Sequence, residues 1–83
     1  MKKKENDFYE LRKRIIRLAY NLPKGKEFTF NDLNSAAHFI CSTAIQQDVG
    51  RWFAYFVKHT PRVPFEIIGY NGTSLLYRKN ASN

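Results

Sequence analysis

The stretch from Thr43 to His59 alternates apolar and polar residues with the period of an α-helix. At about 100° per residue, large apolar side chains fall on one side and small or polar ones on the other. The apolar side consists of Ile45, Val49, Trp52, Phe53 and Phe56. The other side consists of Gln47, Gly50, Arg51, Ala54 and Lys58. We expect the first side to build the core. We expect the second side to lack carboxylates and to leave room for a partner at its small residues, and therefore to contact a polyanion.

A second apolar stripe predicts an earlier helix that begins at Asp7, a suitable N-cap, and ends near Leu22. A proline and a glycine follow it and are typical of a helix end. Its opposite side is basic and carries Lys13, Arg14 and Arg17. Taken alone, these cations are typical of a solvated helix face. We expect the charged lead, 1–6, and the tail, 80–83, to be flexible.

A short helix is predicted just before the long one. Asn31 or Asp32 is suited to cap it, and it continues to about Phe39. Its buried side is expected to consist of Leu33, Ala36, Ala37 and Ile40. After a short turn, Ser42 or Thr43 caps the long helix. Two helices joined in this way, the second longer and amphipathic, form the helix-turn-helix arrangement.

The C-terminal part of the chain predicts a β-hairpin. Two β-rich runs flank Asn71-Gly72, a pair typical of type I′ turns because both central positions need positive φ. The predicted facing pairs are Tyr70 with Thr73, Ile68 with Leu75, and Ile67 with Leu76. An earlier short strand, 28–30, would pair along the hairpin as a third strand. Two prolines hold 60–64 in an extended connector.

The predicted order of elements is helix, short strand, helix, long helix and hairpin. This is the order of a winged helix, an α+β fold with three helices in which the hairpin forms a two-stranded wing. Neither the helices nor the hairpin could bury its apolar face alone in 83 residues. A chain of this length allows one domain, so we predict a single winged helix-turn-helix domain over residues 1–83.

The charge and the cysteine content of the sequence indicate the kind of partner and the cellular compartment. The net charge is +7, and most of the excess positive charge lies in residues 2–26. A balance of this kind favours a nucleic-acid partner. The single cysteine, Cys41, cannot form an internal disulfide, and no apolar run approaches the roughly 18 residues of a membrane span. We therefore expect a soluble, cytoplasmic protein that needs no metal or other cofactor.

The motifs do not indicate an enzyme. The sequence has no phosphate-binding loop, no nucleophile elbow and no histidine pair at metal-binding spacing. His38 and Cys41 lie three residues apart, which invites a thiolate–imidazole interpretation. A buried cysteine near a surface histidine is the simpler interpretation, because no third member or oxyanion site is recognisable. We predict a binding protein with no catalytic residues.

Three short blocks carry a resemblance to a known family. They are Lys24-Gly-Lys-Glu-Phe-Thr-Phe-Asn-Asp-Leu33, Val49-Gly-Arg-Trp-Phe53 and Asn71-Gly-Thr-Ser-Leu-Leu-Tyr-Arg-Lys79. The stretch 24–79 resembles a family of small winged-helix proteins, catalogued as a domain of unknown function, from staphylococcal chromosome cassettes and related Gram-positive mobile elements. The resemblance implies DNA binding, with single-stranded DNA among the ligands, in replication or regulation of a mobile element. It maps the family's Gly-Arg pair onto Gly50 and Arg51.

Candidate DNA contacts divide by their chemistry. Gln47 and Arg51 lie one turn apart and suit base edges, because glutamine pairs with adenine and arginine with guanine. Contacts to phosphates need only a cation and carry no sequence information. The candidates for phosphates are Lys58, Arg62, Lys79, Lys13, Arg14 and Arg17. Binding would then be shared between the long helix, the wing and the first helix.

The wing tip supplies a second kind of contact. Tyr70, Asn71 and Thr73 would lie against a phosphate backbone or in a minor groove. On a single strand, exposed tyrosines would stack on bases, each stack being worth about 1–3 kcal/mol. The candidates for stacking are Tyr55, Tyr70 and Tyr77, whereas Trp52 is expected in the core.

Three functions stay open on the sequence alone. The first is a DNA-binding protein of a mobile element, a replication accessory that binds single-stranded DNA with little sequence preference beside replication proteins of the same element. The second is a duplex-specific transcriptional regulator or excisionase-like factor, which would dimerise or act beside a second copy. The third is a protein adaptor whose basic helix is a solvated face. The oligomeric state stays open as well.

Overall fold

The computed structural model describes residues 2–81 of the chain. Over these residues the chain forms three helices and one three-stranded antiparallel sheet. The elements are α1 (Lys2–Tyr20), β1 (Glu27–Thr29), α2 (Phe30–Ala37), α3 (Thr43–His59), β2 (Phe65–Asn71) and β3 (Ser74–Lys79). The predicted α+β class, with three helices, a short early strand and a C-terminal hairpin, is confirmed. Met1 and 82–83, which belong to the predicted flexible ends, lie outside the described residues.

α1 is longer at its N-terminal end than predicted. It already contains Lys2, so Asp7 lies inside the helix and is not its N-cap. The lead predicted to be flexible is helical from residue 2, because lysine and glutamate are strong helix formers. At the other end α1 stops at Tyr20, short of the predicted Leu22. The fully buried residues on its inner side are Leu11, Ile15 and Ala19.

A capping box determines where α2 begins. The Thr29 hydroxyl accepts a hydrogen bond from the Asp32 backbone N–H (3.2 Å), and the Asp32 carboxylate accepts one from the Thr29 N–H (2.9 Å). Because each side chain satisfies a backbone donor of the other residue, the helix starts directly after β1 without a connecting loop. The predicted caps, Asn31 and Asp32, therefore lie within the first turn.

α2 ends at Ala37, sooner than predicted. The next residue, His38, has the left-handed conformation (φ 51°) and reverses the chain. Leu33 and Ala37 are buried as predicted. Ile40 is 97% exposed, because the helical period stops at His38, and Ala36 is exposed as well. The prediction that these two residues are buried is therefore wrong.

α3 has the predicted limits, Thr43–His59. The Ser42 hydroxyl caps it by accepting a hydrogen bond from the Ile45 N–H (3.2 Å). Its buried side consists of Ile45, Val49, Phe53 and Val57. Trp52 and Phe56, predicted to be core residues, are only half-buried because they face a groove beside α1.

β3 is the central strand of the sheet, whose order is β1-β3-β2. β1 pairs with it in antiparallel fashion, with Phe28 opposite Tyr77, so the predicted third strand is confirmed. The loop before β1 extends this pairing. The Gly25 N–H donates to the Lys79 carbonyl (2.7 Å), and the Lys79 N–H donates to the Lys26 carbonyl (2.9 Å). β3 is thus hydrogen-bonded along both of its edges.

The β2–β3 hairpin turns one residue later than predicted. Asn71 is the last residue of β2 and pairs with Ser74, so Gly72 and Thr73 form the turn. Gly72 has φ +67°, as a type II′ turn requires at its first central position, and the predicted type I′ turn is wrong. The observed facing pairs are Tyr70 with Leu75, Gly69 with Leu76, and Ile67 with Tyr77. The predicted pairs are therefore wrong as well.

A bulge in β2 restores the inward direction of its apolar residues. The register shifts between Ile67 and Gly69, and Gly69 has φ +148°, a conformation that L side chains rarely adopt. As a result Phe65 and Ile67 pack on the core together with Tyr77. Because side chains alternate along a strand, the inner face of β3 consists of Leu75, Tyr77 and Lys79.

Aromatic rings join α3 to the sheet. Phe53 of α3 contacts one ring from each strand, and all four rings are buried. Its ring centroid lies 6.4 Å from Phe28, 5.9 Å from Phe65 and 5.0 Å from Tyr77. Such pairs stabilise a core by about 0.5–1.5 kcal/mol each beyond their buried area. Burial among these rings also raises the pKa of Tyr77 to about 12.

We predict that Phe53→Ala lowers the free energy of unfolding by about 3–5 kcal/mol, because a cavity replaces a ring that contacts every strand. Urea unfolding followed by circular dichroism measures this loss. The control Tyr55→Ala removes a ring that is 62% exposed on the same helix, and should change the free energy by about 0.5 kcal/mol or less. Equal losses in the two variants would contradict the central place of Phe53.

Candidate functional site

A groove of about 660 Å³ separates the outer side of α3 from the β2–β3 hairpin. We name it the hairpin groove. Its α3 side carries Gln47, Gly50, Arg51 and Ala54, and its hairpin side carries Thr73, Ser74 and Leu75. The structure thus brings the two predicted base-edge residues, Gln47 and Arg51, beside Thr73 of the predicted wing tip.

Gly50 lets α3 approach the start of α2. A Cβ built on Gly50 would lie 3.2 Å from Cδ2 of the Phe30 ring, which is closer than an ordinary contact. A larger residue would therefore have to push this ring aside. The space that was predicted at Gly50 for an external partner is thus occupied by the Phe30 ring of the same chain.

Arg51 forms an exposed ion pair on the outer side of α3. Its guanidinium donates to the Asp48 carboxylate at 2.6 Å, and the two side chains are 72% and 52% exposed. The prediction that this side of α3 lacks carboxylates is therefore wrong, because the (i, i+3) spacing brings Asp48 next to Arg51. Exposed pairs of this kind contribute about 0–1 kcal/mol, so a phosphate can compete for the guanidinium.

The C-terminal half of α3 continues the same exposed surface. Lys58 is exposed, and helical spacing places it on the same side as Gln47 and Arg51. Tyr55 is 62% exposed, and its ring packs against His59 with the centroids 4.3 Å apart. We name Gln47, Arg51 and Lys58 the polar strip of α3; Tyr55 lies beside it.

Arg62 lies in a turn, and the predicted extended connector is wrong. Its φ is +66°, in the left-handed region, and Pro61 precedes it, as in a type II turn. A residue other than glycine costs roughly 1–2 kcal/mol in this conformation. The Arg62 side chain is exposed just beyond the end of α3, four residues after Lys58.

The exposed residues of the hairpin lie near its tip. Tyr70 is 70% exposed, and Asn71 and Thr73 are exposed as well. Tyr77 lies on the inner face of β3 and is 1% exposed, so its prediction as a stacking residue is wrong. Tyr55 and Tyr70 are the predicted stacking residues that solvent reaches.

Lys79 is buried, with only 2% of its surface exposed. Its Nζ donates hydrogen bonds to the backbone carbonyls of Tyr20 (2.8 Å), the last residue of α1, and of Leu22 (2.7 Å), just beyond it. Alternation along β3 turns Lys79 to the same face as Tyr77, and the unpaired carbonyls at a helix C-terminus attract a cation. The prediction of Lys79 as a phosphate contact is therefore wrong.

The three cations predicted on α1 differ in their contacts. Arg14 donates to the Glu10 carboxylate (2.8 Å) and to the Ala37 carbonyl (3.2 Å), so it ties α1 to α2. Its hydrogen bond holds the pKa of Glu10 below the usual value. Lys13 lies 3.5 Å from Glu10 and is 61% exposed, and Arg17 is exposed. All three cations line a groove between α1 and α2, apart from the hairpin groove.

A further groove, of about 450 Å³, lies between α1 and α3 beside Trp52 and Phe56, two residues predicted in the core. We name it the aromatic groove. It is lined by Tyr9, Arg12, Lys13, Ile16, Tyr20, Trp52 and Phe56. The spacing of Tyr9, Arg12 and Ile16, at i, i+3 and i+7 beside the buried stripe of α1, is the sequence signal that could have located it.

Cys41 does not have the character of a nucleophile. Burial raises the pKa of its thiol, and the Asp7 carboxylate raises it further. A raised pKa keeps the thiol protonated, whereas a nucleophile needs the thiolate. Within residues 2–81, leaving aside the side chains of 2–5, no three His, Cys, Asp or Glu side chains are grouped so as to hold a metal ion. In that same range each helix is too short or too polar to cross a membrane.

These features define a small, basic α+β domain in which the polar strip of an amphipathic helix lies beside a β-hairpin. The chain belongs to the family described as Domain of unknown function (DUF1413), whose model matches residues 13–78. The family resemblance predicted from the three sequence blocks is confirmed to that extent.

A solved structure named "SCCmec type IV LP1413 - nucleic acids binding protein" is similar to this chain. The two are 40% identical, with a TM-score of 0.85, over 100% of this chain and 93% of that chain. The name assigns nucleic-acid binding and an SCCmec element to that protein. Among curated proteins, no match to the chain was found.

We predict different effects on stability for two lysine substitutions. Lys79→Met removes a buried cationic donor from two backbone carbonyls, and should lower the free energy of unfolding by about 2–3 kcal/mol. Lys58→Met removes an exposed cation, and should change the free energy of unfolding by about 0.5 kcal/mol or less. Urea unfolding followed by circular dichroism measures both changes. Equal losses in the two variants would contradict the structural role of the Lys79 ammonium.

Proposed function

We propose that this chain is a winged-helix protein that binds DNA, with a preference for single strands, as a replication accessory of a mobile genetic element. The observation that carries the proposal is the polar strip of α3, where Arg51 and Lys58 are exposed and Arg51 borders the hairpin groove. A net charge of +7 makes a polyanion the favoured partner for this surface.

Topology supports the winged-helix part of the proposal. The elements follow one another as α1-β1-α2-α3-β2-β3, and the strands lie in the order β1-β3-β2. In a winged helix, α2 and α3 form the helix-turn-helix, α3 is the recognition helix and the β2–β3 hairpin is the wing. The hairpin groove then lies between the recognition helix and the wing, where both can contact one ligand.

Two features of the exposed surface support the preference for single strands. Tyr55 and Tyr70 are 62% and 70% exposed, and exposed rings stack on unpaired bases, which an intact duplex does not offer. Asp48 places a carboxylate beside Arg51 on the outer side of α3. A negative charge there opposes close insertion of the helix between the phosphate chains of a duplex.

The similar protein supports the setting. Its name combines nucleic-acid binding with an SCCmec element, and it is 40% identical to this chain over its full length. This name favours a mobile-element setting for the chain, and we propose in addition a cytoplasmic location and replication proteins of the same element as protein partners. Arg62 and the α1 cations Lys13 and Arg17, all exposed, would add phosphate contacts to those of the polar strip.

We predict that Arg51→Glu combined with Lys58→Glu weakens DNA binding by about 100-fold or more, since each contact to a charged group is worth about 1.5–3 kcal/mol. Anisotropy of a labelled oligonucleotide measures the affinity. Lys24→Glu combined with Lys26→Glu makes the same change of charge on exposed residues of the loop before β1. Equal losses in the two double variants would leave only a net-charge effect, and unchanged affinity in the first would favour a protein adaptor.

We predict that a single strand binds more tightly than a duplex of the same sequence, and that its affinity falls with rising salt as phosphate contacts require. Matched oligonucleotides, titrated at several salt concentrations, measure both properties. A preference of more than about tenfold for a duplex of one sequence, or about 1.4 kcal/mol, would favour a transcriptional regulator or excisionase-like factor. Binding that does not respond to salt would contradict phosphate contacts.

A further inference from the structure

We propose that the aromatic groove between α1 and α3 is a second nucleic-acid site, which stacks a base of the single strand that crosses α3. This inference rests on the nucleic-acid binding proposed above. It assigns a binding site for one base outside the hairpin groove and names the residues that bind this base.

A stack of side chains lines the aromatic groove. The Trp52 ring lies on the Phe56 ring with the centroids 5.2 Å apart and an interplanar angle of 22°. The guanidinium carbon of Arg12 lies 4.5 Å from the Trp52 centroid and 5.5 Å from the Tyr9 centroid. Aromatic rings and guanidinium planes are the surfaces on which proteins stack unpaired bases. Tyr9, which is 55% exposed, gives this stack a face open to solvent.

The aromatic groove stays open although its lining is largely apolar. Trp52, Phe56 and Ile16 pack against the core but are only partly buried by it. Ligand sites in proteins are usually lined by apolar and aromatic side chains with a few polar groups among them. The volume of about 450 Å³ lies within the range of about 300–1,000 Å³ that is usual for small-molecule sites, so a nucleobase fits.

Charge selects the occupant of the aromatic groove. Arg12 and Lys13 line it, and Lys13 is 61% exposed. Cations beside aromatic faces suit a ligand that is anionic and flat at once, and each nucleotide of a single strand offers a phosphate and a base together. A second copy of this chain would bring another net charge of +7 against these cations.

The exposed side of α3 connects the aromatic groove with the hairpin groove. At about 100° per residue, Arg51, Tyr55, His59 and Trp52 follow one another around the helix. Arg51 borders the hairpin groove, Trp52 borders the aromatic groove, and the packed rings of Tyr55 and His59 lie between them. One strand can therefore cross α3 with a phosphate at Arg51 and a base in the aromatic groove, which Trp52 lines.

The single tryptophan of the chain reports directly on the aromatic groove, because Trp52 lines it. In the experiment, a labelled oligothymidylate of about 15 nucleotides, near the upper end of usual site sizes, is titrated with the full chain. Anisotropy of the label measures binding, and Trp52 emission measures contact with the groove. We expect Trp52 emission to be quenched and to saturate together with the anisotropy.

Variants at the rim of the aromatic groove test its share of the affinity. Tyr9→Ala combined with Arg12→Gln removes the open face of the stack, and is expected to weaken binding about 5- to 150-fold, the usual loss of one stacked base. Tyr9→Phe keeps the ring and should keep the affinity. Lys24→Gln removes one charge, as Arg12→Gln does, from an exposed loop residue that lines neither groove. Circular dichroism verifies that each variant is folded.

The outcomes separate this inference from the proposed function. Binding without any change of Trp52 emission, or a double variant that loses no more affinity than Lys24→Gln, would overturn the base site and leave binding at α3 in place. The absence of any anisotropy change with the unsubstituted chain would remove the proposed function and this site together. Trp52 emission that depends on protein concentration without oligonucleotide would assign the groove to a second copy and overturn the inference.

Discussion

The contact of the Phe53 ring with Phe28, Phe65 and Tyr77 holds the molecule together, because it joins α3 to every strand of the sheet. α3 cannot rotate about its axis without breaking these contacts. The core contacts of Phe53 therefore fix which side of α3 faces solvent. With Phe53 turned to the sheet, the helical period leaves Arg51 and the rest of the polar strip facing solvent beside the hairpin.

The same constraint explains why α3 has a groove on each side. Its apolar residues cover a wider arc than the sheet can bury, and Trp52 and Phe56 fall at the edge, where α1 covers them only in part. On the other side, Gly50 and Ala54 are small, and the hairpin stands away from the helix. Both grooves are thus consequences of how one helix is placed between α1 and the sheet. Both are basic, because Arg51 borders the hairpin groove and Arg12 and Lys13 border the aromatic groove.

How far the sequence predicts this structure depends on how local each signal is. α3 could be predicted to the residue, since its period is long and Ser42 is a local cap. The hairpin could be predicted but its register could not, because the bulge before Gly69 depends on which residues of β2 must reach the core. Asn71-Gly72 is a local signal for a type I′ turn. The structure has a type II′ turn instead, because Phe65 and Ile67 must face the core.

In the candidate site, too, residues placed by local sequence spacing could be predicted, and residues placed by distant contacts could not. Gln47, Arg51 and Lys58 lie on the predicted side of α3, because helical spacing alone places them there. Lys79 was misassigned, since its burial depends on carbonyls of α1 that are distant in sequence. The aromatic groove was missed for a similar reason: Arg12 and Trp52 come together only through the packing of two helices, which no short stretch of sequence reveals.

The position of β3 in the chain has a consequence for the order of folding during synthesis. β1 and β2 both pair with β3, which is made after either of them. Until residues 74–79 have left the ribosome, neither strand has its partner, the rings of Phe28 and Phe65 lack Tyr77, and the end of α1 lacks the ammonium of Lys79. The nascent chain therefore exposes its aromatic core until the last strand arrives, the condition in which chaperones bind and unfinished chains aggregate.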